Sequence, residues 1–236
     1  MGTLYYYNRK LKQTCFMCDE IATTGDHIPP KGLFPTSLRN ECKFLIVPAC
    51  KKHNNESKLD DEYFRTVVAI ASPHDETAEK LISERIFKAL EKGKIGLIKY
   101  LQNIAQPILL KNPDGTIEEG MKFEIDKPRF QRIAEKLAKG LFWHHNGIRL
   151  PDTYKVNPYL WNYSFTEEQK RVLCELPIRY VGHPKVFEYR YGEVENDPHK
   201  LFIAMSFFGA SNLLEVLTIP SNQERGSLTS ETSAKR

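Results

Sequence analysis

CFMCDEIATTGDHIPP, Cys15 to Pro30, links a CxxC pair to an aspartate–histidine step that runs into two prolines. Further along, Cys50-Lys51-Lys52-His53 supplies a second pair of soft ligands at the same spacing. Each such turn aims two side chains at one point, and two turns brought together make the four-ligand set a tetrahedral Zn²⁺ requires. Cys15, Cys18, Cys50 and His53 are therefore the expected structural zinc site. The competing reading of a lone CxxC is a redox pair, which usually opens a helix after a strand in a βαβ pattern. No such pattern follows Cys18, and the second pair argues against it. Cys42 is a spare thiol, a substitute ligand only if His53 points elsewhere.

Asp26-His27 lies between the two pairs, and Asn54-Asn55 follows the second. A zinc ion that draws residue 18 towards residue 50 folds the intervening loop back, so carboxylate, imidazole and carboxamide are expected to converge. Aspartate and asparagine oxygens are hard ligands suited to Mg²⁺ or Mn²⁺, and an adjacent histidine can take a proton from water near neutral pH. Read alone, Asp-His before Pro-Pro is a turn and Asn54-Asn55 a helix cap. Lys51, Lys52 and Lys58 alone are a solvated face; beside a phosphate site they, with Lys31, become candidate contacts to a nucleic-acid backbone.

The order CxxC, DHIPP, an apolar strand ending in Cys50, then His53-Asn54-Asn55 resembles the HNH endonuclease family with its zinc-knuckle ββα-metal fold. The resemblance covers roughly residues 12 to 64. It implies that Asp26 and Asn54 hold a catalytic Mg²⁺ or Mn²⁺, that His27 is the general base, and that the zinc does no chemistry. The implied activity is metal-dependent hydrolysis of phosphodiester bonds in nucleic acid, with DNA the expected substrate. The strand from Phe44 to Val47 would pair with the Asp-His strand, and the following helix would complete the module. Three departures stand out: His53 sits where many members carry cysteine, the motif's middle asparagine has no clear counterpart, since Asn40 lies too far before Cys50, and Asn55 competes with Asn54 for the metal. The alternative is a zinc-stabilised module that binds nucleic acid or protein without cutting.

The whole chain, 236 residues with a net charge of +4, has the composition of an ordinary soluble globular protein. Its average charge permits a polyanionic partner without requiring one. No apolar run approaches the roughly 18 residues of a membrane span, and MGTLYYYNRK lacks a signal-peptide core, so the cytoplasm is the expected location. The predicted organisation is α+β: a zinc module over 1–64, an accessory region over 65–219 and a disordered tail over 220–236. Residues 60–71, 76–92 and 95–105 read as helices, and Pro-Asp-Gly at 113–115 as a hairpin turn. Lys127-Pro128 opens a strong helix to about 145, with Ile133, Leu137 and Leu141 on one face. Residues beyond Gly147 read as loops, followed by antiparallel strands near 177–181, 185–194, 199–208 and 212–219. Asp60, Asp61 and Glu62 read as helix N-terminal charge; the lesser alternative is that one carboxylate reaches the metal site through water. His144 and His145 are expected to meet the carbonyls that end their helix. Trp143, Phe142 and Trp161 read as core. The accessory region is the candidate for substrate recognition or for homodimer contacts.

Overall fold

The computed structural model describes residues 7–8, 11–72, 75–91, 105–111, 114–160, 171, 174–209 and 212–221. The 95–105 helix falls outside them except for residue 105, as do Trp161 and the tail beyond 221.

The N-terminal module is a ββα unit. Strand β1 (Thr24–Ile28) pairs antiparallel with β2 (Leu45–Ala49), with Asp26 opposite Val47 and His27 opposite Ile46. Helix α1 (Lys51–Glu56) starts directly after Cys50, and α2 (Lys58–Ile70) continues from it. Because successive strand side chains point to opposite faces, Asp26 and Ile28 are buried while His27 between them is only half-buried. The Asp-His step thus sends its two functional groups to different sides of the hairpin.

Helix α3 (Glu76–Glu91) precedes a separate hairpin, β3 (Ala105–Lys111) with β4 (Ile117–Phe123), turned about Asp114 and Gly115 as the sequence predicts. Helix α4 (Lys127–Asn146) is the centre of the molecule. Asp126 caps it by accepting the Arg129 N–H at 3.1 Å, Pro128 stands in its first turn, and Gly147 ends it in the left-handed region at φ 70°. Ile133, Leu137 and Leu141 are buried as expected, and Phe142 and Trp143 join them.

The remaining strands form one antiparallel sheet in the order β5-β9-β8-β7-β6: Tyr154–Leu160, Asn212–Pro220, Asp197–Phe207, Phe187–Val194 and Arg179–Tyr180. β5 corrects the reading of this stretch as loop. It sits at the sheet edge, where Pro158 costs no ladder hydrogen bond. Phe64 of α2 packs against Phe130 of α4 and Phe207 of β8, at ring distances of 5.7 and 5.1 Å, so apolar contact runs across residue 64 from the ββα unit into the sheet. No helix among the described residues is long and apolar enough to cross a membrane.

Gly140 sets how closely α4 approaches β1. A Cβ built there would lie 2.5 Å from Ile28 Cγ1 and 2.7 Å from its Cδ1, and Ile28 is fully buried. Gly140→Ala is therefore expected to destabilise the protein, although alanine favours a helix by about 1 kcal/mol, because overpacking a tight core costs about 1–3 kcal/mol. Thermal unfolding of the variant checks this: a melting point equal to or above wild type would show that the helix has room to move.

Candidate metal centre and active-site cleft

Two local devices build the metal centre. The CxxC turn closes on itself through Cys15 N–H to Glu20 O at 2.8 Å and is tied to the hairpin by Phe16 N–H to Pro48 O at 2.8 Å. Cys50 directly follows β2 at the N-cap of α1, and His53 lies one turn into that helix. Ligand atoms of Cys15, Cys18, Cys50 and His53 all lie within 4.8 Å of one another, a set that can hold a metal ion such as zinc. His53 Nδ1 is 3.5 Å from Cys15 Sγ and 3.3 Å from Cys50 Sγ, and the Cys18 and Cys50 sulfurs are 3.9 Å apart. Tetrahedral zinc places sulfurs about 3.8 Å apart and sulfur and nitrogen about 3.5 Å apart, so the donor set fits. Burial pushes the Cys50 thiol up to about 12, so its deprotonation needs a cation beside it. Cys42 lies outside the cluster and donates to Leu38 O at 3.2 Å.

On the hairpin beside α2, Asp26, His27, Pro30, Lys31, Gly32, Lys58, Asp61, Glu62 and Arg65 line a cleft of about 280 Å³. The His27 ring meets the Phe44 ring edge-on at 5.5 Å, and the Lys31 ammonium lies over the same ring at 5.4 Å. Burial, reinforced by Lys31 and Lys136 and opposed by Asp26, lowers the His27 pKa below its ordinary value. At neutral pH this imidazole is uncharged and able to accept a proton. Arg65 donates to Gly32 O at 3.4 Å and pairs with Glu62 at 3.6 Å, while its buried Nε has no acceptor among the described residues.

Behind the cleft stands a group that the sequence reading did not single out. The Lys136 side chain, 4% exposed, reaches from α4 to within 2.9 Å of both Asp26 Oδ2 and Asp61 Oδ2. Its ammonium donates to Ser57 Oγ at 3.0 Å and to both oxygens of Asp61. Its approach to Asp26 Oδ2 is an ion pair off the hydrogen-bonding direction, which leaves that buried oxygen charge-compensated but without a donor among the described residues. Asp26 Oδ1 accepts the backbone N–H of His27 at 2.8 Å, fixing the strand at the base. Burial raises the Asp61 pKa, and Lys136 opposes that rise.

Asp26 and His27 both line the cleft, with their side chains on opposite faces of β1, and Asn54 does not join them. Its amide nitrogen donates to Thr24 Oγ1 at 3.0 Å and Gly25 O at 3.4 Å, clamping α1 onto β1, and it is absent from the cleft lining. The Asp26–Asn54 pair does not fit a divalent ion in this geometry: Asn54 is held at Thr24 and Gly25, Asp26 Oδ1 accepts the His27 N–H, and the Lys136 ammonium stands 2.9 Å from Oδ2. Among the described residues the Cys/His set is the one cluster of three or more such ligands. Lys31 and Lys58 line the cleft; Lys52 lines a second cleft of about 610 Å³ with His53, Lys139 and Arg132; Lys51 is exposed and lines neither. Asp60 pairs with Arg132 at 2.6 Å instead of facing the cleft. His145 also departs from expectation: it stacks on Tyr191 at 4.0 Å and meets the Tyr189 hydroxyl at 3.1 Å, away from the helix-end carbonyls.

Comparison of the chain with protein-family models, curated proteins and solved structures finds no match.

Proposed function

We propose that this chain is an endonuclease, built on a zinc-held ββα frame, that hydrolyses phosphodiester bonds in nucleic acid with His27 as general base. The observation that carries the reading is His27 itself: a neutral, half-buried imidazole at a cleft that also presents Lys31, Lys58 and Arg65. In the proposed reaction the His27 ring removes a proton from water as the water oxygen attacks phosphorus in line. The bond from phosphorus to the 3′ oxygen breaks, and the leaving alkoxide takes a proton from solvent. Lys31, Lys58 and Arg65 meet the non-bridging oxygens, where negative charge builds. Asp26 positions His27 through its backbone N–H, and Lys136 offsets one of the two negative charges with which Asp26 and Asp61 would repel a phosphate. Zinc on Cys15, Cys18, Cys50 and His53 holds the hairpin to α1 and takes no part in the reaction. The expected substrate is DNA.

The pH–rate profile tests this. Cutting requires neutral His27, so kcat/KM should rise with pH and level off, with a midpoint below 6.5. Lys31 disfavours the imidazolium, so Lys31→Gln should move that midpoint upward while weakening substrate binding. A profile without an acid limb, or one that Lys31→Gln shifts downward, would remove His27 from the role.

A further inference from the structure

The buried ammonium of Lys136 sits against Asp26, one of the two residues that the HNH resemblance assigns to a divalent ion. Four oxygens surround its Nζ within 3.1 Å: Asp26 Oδ2, both carboxylate oxygens of Asp61, and Ser57 Oγ. Two of the contributing residues are carboxylates from different elements, β1 and α2, which is the arrangement that recruits Mg²⁺ or Mn²⁺ when no cation is supplied. Here α4 supplies it covalently. The close approach of α4 to β1 at Gly140, one turn beyond Lys136, keeps the lysine seated. For a divalent ion to enter between Asp26 and Asp61, the ammonium would have to leave a packed wall where its side chain is 4% exposed.

We propose that Lys136 is a built-in replacement for the catalytic divalent ion, so that the cleft binds neither Mg²⁺ nor Mn²⁺ and works without one. The functional half of this rests on the nuclease reading; the binding half does not. Lys136 is a positioning residue, since Asp26 stands between it and the cleft. It fixes the charge and placement of Asp26 and, through Asp26, of His27.

The test uses the full chain loaded with zinc and dialysed free of other divalent ions. Mn²⁺ binding is read by the loss of the free-ion electron paramagnetic resonance signal, and cutting is followed with and without added Mg²⁺ or Mn²⁺. Wild type is expected to bind no Mn²⁺ and to cut equally well in both conditions. Lys136→Met exposes two carboxylates to each other and should gain one Mn²⁺ per chain, lost again in Lys136→Met with Asp61→Asn. Lys136→Arg, which keeps the charge, should gain none. Mn²⁺ bound by wild type and abolished by Asp26→Asn would overturn the proposal, and that measurement stands even if Lys136→Met fails to fold. Mn²⁺ bound by neither wild type nor a folded Lys136→Met would also overturn it, because the lysine would not then be what keeps the ion out. Wild type that binds no Mn²⁺ and cuts no nucleic acid, beside a Lys136→Met that gains the ion, would keep the charge replacement and discard the nuclease reading.

Discussion

Cys50→Ala is expected to empty the metal centre and open the N-terminal frame. Cys50 joins the end of β2 to the start of α1, and its sulfur faces both Cys18 and His53. Removing it leaves three ligands and a void among Cys15, Phe16 and Ala49, all fully buried. Structural zinc supplies an apparent 10–16 kcal/mol in small zinc-folded peptides, about as much as the whole stability of an ordinary domain. The sheet of β5 to β9 and most of α4 are expected to hold without the metal, because Ile133, Leu137, Phe187, Ile203 and Met205 bury apolar surface among them. The loss should therefore be regional. Zinc measured by elemental analysis should fall from one per chain to none, and amides of β1 and β2 should lose hydrogen-exchange protection while those of β7 and β8 keep theirs. Full retention of protection in β1 without metal would show that the apolar packing suffices.

The second large effect concerns Lys136. Breaking a buried ion pair from one side costs about 3–5 kcal/mol, because the surviving charges remain out of water. Lys136→Met keeps the bulk and removes the charge, leaving Asp26 and Asp61 uncompensated with side chains 9% and 20% exposed. The variant should lose stability in that range in denaturant unfolding. Adding Asp61→Asn to it should restore part of the loss, since one of the stranded charges is gone. Purely additive losses would mean that Lys136 and Asp61 do not interact energetically, and a Lys136→Met variant as stable as wild type would contradict the buried ion pair outright. The same comparison separates this pair from Arg132–Asp60, whose arginine is 56% exposed and whose removal should cost far less.

Local chemistry was legible in the sequence, and long-range placement was not. The metal ligands could be found because CxxC and CxxH are turn-scale patterns whose geometry needs only neighbouring residues. Helix α4 was legible from Pro128 and the apolar spacing of Ile133, Leu137 and Leu141. Strand β5 was missed because YKVNPYL carries a proline and polar residues, which are acceptable only once the stretch is known to lie at a sheet edge. Lysines on a helix ordinarily read as solvated, and nothing near Lys136 in the sequence says that α4 crosses β1 at Asp26. The signal that existed was the run Asp60-Asp61-Glu62, read chiefly as helix-terminal charge. Its first member pairs with Arg132 and its second with Lys136. Asn54 lies outside the cleft for a related reason: its amide nitrogen donates to Thr24 and Gly25 on β1, which holds the side chain against the hairpin.

The alternation of β1 also sharpened the reading of Asp26-His27. Adjacent strand residues face opposite ways, so the aspartate turns towards α4 and its lysine while the histidine turns towards Phe44 and the cleft. The two act in sequence, one holding the other, and need not share a ligand.

Single-turnover cleavage of a labelled nucleic acid by zinc-loaded wild type and zinc-loaded His27→Ala, side by side, decides whether His27 is the base. The variant should retain its zinc and its unfolding midpoint and lose cutting by about 10²–10⁴-fold, the usual contribution of a general base. Equal product from both proteins at matched zinc content would contradict the account.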